Sequence, residues 1–406
     1  MKLTFLGDVM IEPPILKAAK RRGGTYDFRG VFARAKSLLC ESDFVVTNLE
    51  TPLAGAEAGY TDTHLCFNAP SEYVDALMDA GVDLVSTANN HTFDRGYAGM
   101  EHTIRVLDEK GLAHTGSFLR GTKRPEAYYF ERGGTTFAVI AYTYGTNHGG
   151  SGGECLAEGE YTGTVNLLCS QTANTYLPGV FRSDDWVDRL FRHIPWVKDA
   201  NVPGKLKKLL GMTATYSRDD DCLEGKTETL QIAQMQQDIR TAKEKADIVL
   251  FYPHVGGQFN VKPGAFTEYV VNKAVEAGAD AVIATHSHIP QKATWNNGVP
   301  CAYCLGNFNM NPHSYLAMPE ILTNYGYALH VYVEDKAISK VTFSMMKNIR
   351  DRGGQIVSYP VDELYTSLKT QKERDMLMKE IRHLYGRITG GVLHGDIVRR
   401  EYELMQ

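Results

Sequence analysis

The sequence predicts an α/β fold in which β-strands alternate with α-helices. Short apolar runs of strand length alternate with amphipathic stretches of helical periodicity along the chain. Three segments share one order, in which a helix ends in a small turn and an Asp leads into an apolar strand: DAGVDLVSTANN, EKADIVLFYPH and EAGADAVIATHSH. Each of these strands runs into polar residues at its carboxyl end, where ligands bind in open α/β sheets. The pattern therefore predicts layers of helix and sheet with a ligand site at one sheet edge.

The apolar runs predict six strands, and the amphipathic stretches predict helices between them. The predicted strands cover Leu3–Gly7, Phe44–Asn48, Leu84–Ala88, Phe137–Tyr142, Ile248–Pro253 and Ala281–Thr285. The predicted helices cover Ser71–Ala80, Gly96–Lys110, Thr229–Lys245 and Phe266–Ala277. After about residue 325 the sequence predicts a β-rich stretch and a charged C-terminal helix.

A long segment between two of the predicted strands, residues 145–228, departs from this alternation. It begins with the Gly-rich stretch GTNHGGSGGECLAEGE, and it contains the amphipathic stretch SDDWVDRLFRHIPWV and the basic run KLKKLLGM. Long insertions in enzymes often act as lids, and an additional packing layer is the alternative. The expected organisation is one domain over residues 1–330, interrupted by the insertion 145–228 and followed by a C-terminal extension at 331–406.

The composition bounds the class of protein. Of the 406 residues, 43% are hydrophobic and 22% are charged, which suits a globular protein with a large core. The net charge of −5 gives no support to nucleic acid as a partner. No apolar stretch approaches the roughly 20 residues that span a bilayer, and the start MKLTFLGDVM is typical of a first strand, so we expect no membrane span. The seven cysteines are odd in number and scattered, which predicts a reduced, cytoplasmic protein.

Five polar clusters stand at or just after the ends of predicted strands. They are Gly7-Asp8, Asn48-Leu49-Glu50, Asn89-Asn90-His91 with Asp94, Pro253-His254, and His286-Ser287-His288. Each cluster alone is a weak signal, but a sheet would bring all five to one edge. The last cluster is expected to place both imidazoles on one face, because side chains two apart on a strand point the same way.

The residue types in these clusters are those that a pair of divalent metal ions requires. Such a centre needs a bridging carboxylate, further carboxylate or amide oxygens, and neutral imidazoles. The candidate ligands are Asp8, Glu50, Asn90, His254, His286 and His288. No cysteine belongs to the set, so a structural zinc site of the cysteine type is not expected.

The order of the clusters resembles that of the calcineurin-like metallophosphoesterases. The sequence around the clusters is similar to that of the branch named after the bacterial capsule protein CapA of poly-γ-glutamate synthesis. The similar stretches are GDVM, TNLETPL, ANNHTFDRGYAGM, PHVGGQF, AGADAVIATHSHIPQ and YCLGNF. The resemblance covers residues 1–144 and about 229–310. It implies a four-layer α/β/β/α sandwich with two sheets face to face and helices outside. It also implies two divalent ions (Mn, Fe or Zn) and an anionic substrate that is either a small molecule or a polymer.

Carried over residue by residue, the resemblance implies a role for each candidate. The first metal would be held by Asp8 and His288, the second by Asn90, His254 and His286, and Glu50 would bridge the two. His91 would act as the general acid that protonates the leaving oxygen, with Asp94 orienting its ring.

The chain departs from the wider superfamily at two places. The superfamily usually has an Asp-x-His at the first strand, and Met10 stands here in place of that His. The first metal is therefore one ligand short: either it would be weakly held, or water or Glu12 would fill the position. The branch often has His-Trp-Gly-x-Glu where this chain has the sequence HVGGQ from His254 to Gln258, so the substrate contacts of the branch do not carry over.

Three functions are compatible with this pattern. The leading hypothesis is metal-dependent hydrolysis of a phosphoester. The first alternative keeps the metals and cleaves a γ-glutamyl or other amide bond, and the second is a non-catalytic accessory protein in poly-γ-glutamate capsule synthesis. The missing histidine at the first strand favours the accessory role, whereas the presence of His91 with Asp94 opposes it, because binding alone requires no general acid.

Overall fold

A computed structural model of the chain describes residues 1–62, 66–147, 159–171, 217–312 and 321–406, together with the single positions 190 and 206. The strands in these ranges are β1 (Lys2–Val9), β2 (Phe44–Leu49), β3 (Leu84–Ser86), β4 (Ala113–Thr115), β5 (Tyr128–Arg132), β6 (Thr135–Thr143), β7 (Ile248–His254), β8 (Ala281–Ile283), β9 (Ala293–Asn296), β10 (Val299–Ala302), β11 (Asn307–Asn309), β12 (Tyr325–Glu334), β13 (Ala337–Arg350), β14 (Ile356–Pro360) and β15 (Tyr402–Glu403).

The helices in the same ranges lie between the strands and after them. They are α1 (Pro13–Ala19), α2 (Arg29–Phe32), α3 (Lys36–Leu39), α4 (Glu72–Ala80), α5 (Gly96–Lys110), α6 (Leu230–Lys243), α7 (Ala265–Ala277), α8 (Val361–Ser367) and α9 (Gln371–Thr389). Among them, no helix has both the length and the apolar character that crossing a bilayer requires.

The strands form two sheets of similar design. The first has the order β14-β13-β12-β1-β2-β3-β4, with β11 beside β1 and β15 beside β13, and the second has the order β5-β6-β7-β8-β10-β9. In both, the central strands are parallel: β1 to β4 in the first sheet, and β6, β7, β8 and β10 in the second. Antiparallel strands extend the first sheet on the far side of β1 and the second sheet at both ends. The carboxyl ends of the central strands carry the polar clusters found in the sequence.

The alternation of side chains along each strand divides the core into layers. On β2, Phe44 and Val46 face the second sheet and pack with residues such as Leu250 of β7, whereas Val45 faces the other way, against the helices α1 to α4. On β7, Val249 likewise faces outward and packs against α6 and α7. Helices, sheet, sheet and helices therefore stack in that order, which confirms the predicted four-layer α/β/β/α sandwich.

The predicted elements overlap observed ones throughout, with differences at their ends. All six predicted strands and all four predicted helices are present, and β8 ends at Ile283, two residues before the predicted end at Thr285. The β-rich stretch and the C-terminal helix predicted after about residue 325 correspond to β12, β13, β14 and α9. Residues of the predicted C-terminal extension, 331–406, supply strands to the first sheet, because β13 pairs with β12, and β14 and β15 pair with β13.

A close contact between two glycines fixes the end of β1, where the first candidate ligand lies. The backbone N–H of Asp8 donates to the carbonyl of Gly306 at 3.1 Å. A Cβ atom on Gly7 would lie 1.8 Å from the same carbonyl oxygen, so no larger residue fits at position 7. Gly306 itself has φ +74°, a left-handed conformation that glycine adopts without steric cost. The Gly-Asp pair of the sequence is therefore required by packing as well as by chemistry.

We expect Gly7→Ala to destabilise the protein by about 3 kcal/mol, because the added methyl group meets a rigid backbone carbonyl that cannot rotate away. Denaturant unfolding of the purified variant measures this loss. Gly353→Ala is the matched control, since its Cβ would meet only the end of the Asp351 side chain, at 3.3 Å. Equal stabilities of the two variants would contradict the close packing of β1 against the loop at Gly306.

Candidate metal centre

All eight candidate site residues lie together, between the carboxyl ends of the parallel strands of the two sheets. Asp8 belongs to β1 and Glu50 directly follows β2, whereas His254 ends β7. Each of the eight side chains is buried: Asp8, Glu50, Asn90, His91, Asp94, His254, His286 and His288. The five clusters are therefore gathered at one place, but by the strand ends of two sheets and not, as expected, by the edge of a single sheet.

One group of potential ligand atoms surrounds the His254 imidazole. Its Nε2 atom lies 2.8 Å from Asn90 Oδ1, 3.1 Å from His286 Nδ1 and 3.4 Å from Glu50 Oε1. On the other side of the ring, Nδ1 lies 2.9 Å from the hydroxyl of Thr285. Two oxygens and two imidazole nitrogens thus converge on one point, as a divalent-metal site requires.

A second group lies on the other side of the Glu50 carboxylate. Asp8 Oδ2 lies 3.4 Å from His288 Nδ1, and His288 Nε2 lies 3.7 Å from Glu50 Oε1. In the described part of the chain, Glu50 belongs to both groups that could hold a metal ion, one with His254 and His286 and the other with Asp8 and His288. The shared carboxylate occupies the position that a bridging ligand would take.

The surroundings of Glu50 fit metal ions better than hydrogen bonds. Its side chain is 0% exposed, and neither carboxylate oxygen has a hydrogen-bond partner among the described residues. Three imidazoles surround Oε1, with the nearest nitrogen atoms of His254, His288 and His91 at 3.4, 3.7 and 3.9 Å. These separations exceed a hydrogen bond, but two atoms that each lie about 2.1 Å from one ion are themselves about 3 to 4 Å apart. The donor set therefore fits divalent ions.

The charges of the cluster set the protonation states of its members. Burial raises the pKa of Asp8, but hydrogen bonds and charges from His254 and His288 outweigh burial and hold that pKa well below its ordinary value. Burial lowers the pKa of His288, but the Glu50 charge and the contact with Asp8 outweigh it and raise the pKa to about 9. Burial, with the neighbouring histidines, holds the pKa of His286 well below its ordinary value. Asp8 is therefore ionised and His286 neutral, the forms in which both bind metals.

The two histidines of the His-Ser-His cluster reach the site by a different route from the one predicted. They lie beyond the end of β8, and their φ angles are +102° for His286 and +55° for His288. The expectation that they would share a strand face is wrong, because the left-handed backbone turns each ring separately. The backbone N–H of His286 donates to Asp8 Oδ2 at 3.2 Å, which helps to hold this costly conformation in place.

His91 and Asp94 form a dyad beside the two groups. His91 Nδ1 lies 2.7 Å from Asp94 Oδ2, and the same oxygen accepts the backbone N–H of Phe67 at 2.7 Å. The Phe67 ring packs against the imidazole with 4.4 Å between ring centroids. Burial raises the pKa of Asp94, and the charge of His91 offsets part of this rise. These contacts turn Nε2 of His91 toward Glu50, where it is available to a bound ligand.

Three asparagines orient the candidate ligands, and the sequence analysis did not assign this role to any of them. They are Asn307, Asn147 and Asn48. Asn307 Oδ1 lies 2.9 Å from His288 Nδ1, so it can accept the proton there and leave Nε2 free. Asn90 Nδ2 donates to Asn147 Oδ1 at 3.2 Å, which points Asn90 Oδ1 toward His254. Asn48 Nδ2 donates to Asp8 Oδ1 at 2.7 Å. Asn48 and Asn307 lie in TNLETPL and YCLGNF, two of the stretches that resemble the CapA branch. Their place in these stretches is the sequence signal that could have indicated a role at the site.

Glu12 does not complete the first group. Its Oε2 accepts the backbone N–H of Asn311 at 2.5 Å, and Glu12 belongs to neither of the metal-binding groups in the described chain. Met10 is buried, and its backbone N–H donates to Asn309 Oδ1 at 3.1 Å. Of the two ways considered for filling the position of the missing histidine, the Glu12 carboxylate is therefore excluded in this conformation.

The described residues at both ends of the insertion 145–228 lie at the site. Next to its start, the ring of Tyr144 lies 4.6 Å from that of His286, and Asn147 contacts Asn90. Toward its end, Ser217 and Lys226 line a small cavity together with Tyr144 and His286. The stretches on which the lid prediction rests, from His148 through the amphipathic and basic runs, lie almost wholly outside the described residues, so the lid stays a prediction.

The family of the chain follows from comparison with known proteins. A family model described as "Bacterial capsule synthesis protein PGA_cap" matches residues 2–312. The chain belongs to this family. Two relatives are similar to the chain over most of its length. "Capsule biosynthesis protein CapA" of Bacillus anthracis is 24% identical over 312 residues, 76% of this chain and 59% of that protein. "PGA biosynthesis protein CapA" of Bacillus subtilis (strain 168) is 21% identical over 311 residues, 76% of this chain and 63% of that protein. The resemblance to the CapA branch is confirmed.

The chain spans about three fifths of the length of these two curated relatives. Among solved structures, a hypothetical protein from Thermus thermophilus is 16% identical to this chain, with a TM-score of 0.42. The superposition covers 86% of this chain and 99% of that protein. A novel phosphatase of Mycoplasma pneumoniae is 13% identical with a TM-score of 0.40, over 86% and 93% of the two chains.

We expect Asn307→Ala to weaken binding of a divalent ion at the Asp8–His288 group by about 10- to 100-fold, because the imidazole of His288 loses the partner that fixes its orientation. Binding at the His254 group is expected to stay unchanged. Stepwise titration with Mn²⁺ against a chelator measures the two affinities separately.

Two further variants control this experiment. Asn307→Asp keeps an oxygen acceptor for His288 and is expected to retain more of the affinity. Asn272→Ala removes an exposed asparagine of α7 and is expected to have no effect. An equal loss at both groups in Asn307→Ala would indicate general unfolding and contradict an orienting role.

Proposed function

We propose that this PGA_cap protein is a metal-dependent hydrolase that cleaves phosphoesters. The observation that carries the proposal is the buried Glu50 carboxylate, which has no hydrogen-bond donor in the described chain and is common to two groups of metal-ligand type. A purely structural carboxylate in such a place would cost several kcal/mol without compensation. Divalent ions between Glu50 and its neighbouring imidazoles would remove that cost.

The residues that would hold the ions follow from the two groups. Asp8, Glu50 and His288 would hold one, and Glu50, Asn90, His254 and His286 would hold the other. The mixture of carboxylate, amide and imidazole donors suits Mn, Fe or Zn. When bound, such a pair of ions activates a water molecule and neutralises the charge that develops on the phosphoryl oxygens.

His91 supplies the acid in the proposed reaction. Its Nδ1 is held by Asp94, so the ring keeps one orientation and presents Nε2 on the side of Glu50, 3.9 Å away. A phosphoester held by the bound ions beside the shared carboxylate would have its leaving oxygen on the side of this Nε2–H. Protonation of the leaving oxygen there avoids the expulsion of an unstable alkoxide. Asp94 in turn stabilises the charged imidazole that carries the proton.

A second candidate is hydrolysis of a γ-glutamyl bond. The names of the two relatives, which refer to capsule and PGA biosynthesis, favour a polymer with carboxylate side groups as the substrate. The same dyad could protonate a departing amine, and the same ions could polarise an amide carbonyl. The two candidates differ in the bond cleaved, so one panel of substrates distinguishes them.

We expect His91→Ala to keep its metal ions and to lose turnover by about 10²- to 10⁴-fold, because the substitution removes the proposed general acid but does not remove a metal ligand. The loss should be greater for alkyl phosphates than for p-nitrophenyl phosphate, whose leaving group needs no proton. Steady-state assays on both esters and on γ-glutamyl peptides, with elemental analysis of each sample, measure these effects.

His254→Ala and His394→Ala complete the experiment. His254→Ala removes a ligand and is expected to lose metal and activity together, whereas His394→Ala removes an exposed histidine and is expected to change neither. Unchanged turnover of alkyl phosphates in His91→Ala would refute the acid role. A protein that neither contains nor binds a transition metal would refute the proposed function as a whole.

A further inference from the structure

A wide, basic cavity lies between α9 and the loop that precedes α7, away from the candidate ligands. Its volume is about 890 Å³, which is within the range of small-molecule sites. Four lysine or arginine side chains and one glutamate contribute to its wall: Lys262, Lys292, Arg382, Arg387 and Glu268. The chain as a whole has a net charge of −5, so this concentration of positive charge is local.

Two of the four cations are neutralised by neighbouring carboxylates, and two are not. Lys292 Nζ forms an ion pair with Glu268 at 2.9 Å, and Arg382 is paired with Asp396. In the described chain, no carboxylate lies within ion-pair distance of Lys262 or Arg387. The cavity therefore presents about two uncompensated positive charges to whatever enters it, which attracts anions.

Arg387 is the more informative of these two residues, because it is largely buried. Its Nη1 donates to the carbonyl of Ile321 at 2.7 Å, and its Nη2 lies 3.1 Å from Nε2 of His383. Burial lowers the pKa of its guanidinium to about 10, and no opposite charge offsets this effect. A guanidinium has five N–H donors in a planar fork that matches a carboxylate or phosphate. The remaining donors of Arg387 are therefore available to an oxyanion in the cavity.

A thin apolar layer separates this cavity from the candidate metal centre. Phe259, Ile289 and Ile321 pack together as a buried cluster, and Ile321 also lines the cavity. On the other side of this layer, the ring of Phe259 lies 5.8 Å from that of His288. The cavity and the metal groups are thus neighbouring but separate sites, and a ligand in the cavity does not touch the metal ligands.

We propose that this cavity is a second anion-binding site, which takes a carboxylate or phosphate group through Lys262 and Arg387. The group could belong to a free small anion or to one unit of a polyanionic chain. The proposal does not depend on hydrolysis at the metal centre, because it concerns residues on the far side of the apolar layer.

The test is calorimetric titration of the metal-loaded protein with two probes, inorganic phosphate and a γ-linked hexaglutamate, at low and high salt. Lys262→Gln, and Lys262→Gln combined with Arg387→Gln, are expected to weaken binding of at least one probe about tenfold, as the loss of a charge-assisted hydrogen bond implies. Lys379→Gln, an exposed lysine on the same helix as Arg387, is the matched control and is expected to bind as the wild type does. The affinity at the cavity should fall as salt is raised.

Each outcome has a defined meaning. Loss of phosphate binding indicates a site for free anions, and loss of hexaglutamate binding alone indicates a site for a polymer unit. If the double variant fails to fold, Lys262→Glu replaces it, and its charge reversal should weaken binding further than Lys262→Gln does. Unchanged affinity for both probes in folded Lys262→Gln and Lys262→Glu would overturn the proposal. Hydrolysis of p-nitrophenyl phosphate should be equal in wild type and Lys262→Gln, so a failure of the proposed activity would be visible separately.

Discussion

The burial of one carboxylate without a hydrogen-bond donor is the constraint on which the rest of the site depends. Glu50 is inaccessible to solvent, and imidazole nitrogens of three histidines lie 3.4 to 3.9 Å from its Oε1. Removing a charge from water costs several kcal/mol unless opposite charge is supplied. Within the cluster, protonated His288 supplies part of it, which is why the pKa of that ring rises to about 9. Ions of charge +2 would supply far more, so the same arrangement that is costly without metals favours binding them.

The two-sheet architecture is what gathers groups of opposite charge at one place. Asp8 and Glu50 come from the first sheet, whereas His254, His286 and His288 come from the second. The core between the sheets, in which residues such as Phe5 and Tyr252 pack together, sets the distance between them. A change in that core therefore alters the separation of carboxylates from imidazoles as well as the stability. Tyr252 links the two sheets directly, because its hydroxyl donates to the backbone carbonyl of Leu6.

Much of this arrangement could be predicted from the sequence, and the remainder depends on contacts between distant segments. The strands and helices were predictable because hydrophobic periodicity is a local signal, and the convergence of the clusters followed from the parallel strands. The pairing of β12 with β1 could not be predicted, because the local sequence does not specify which distant strand lies beside β1. The left-handed conformations of His286 and His288 depend on Asp8 and Asn307, which are far apart in sequence. Asn147 is an isolated asparagine in a loop, and its role in orienting Asn90 can be recognised only from the contact between the two side chains.

The position of β1 in the first sheet has a consequence for how the protein is made. β1 pairs with β12, which lies much farther along the chain, and the contact between Thr4 and His330 joins residues 326 positions apart. Closing so long a loop costs little more at equilibrium than closing a shorter one, but such distant pairings form slowly. During synthesis, β1 therefore lacks this partner until β12 has been made, and the unpaired edge of β1 stays exposed meanwhile. Asp8, which also needs Gly306, therefore reaches its final position only after that later segment has been synthesised.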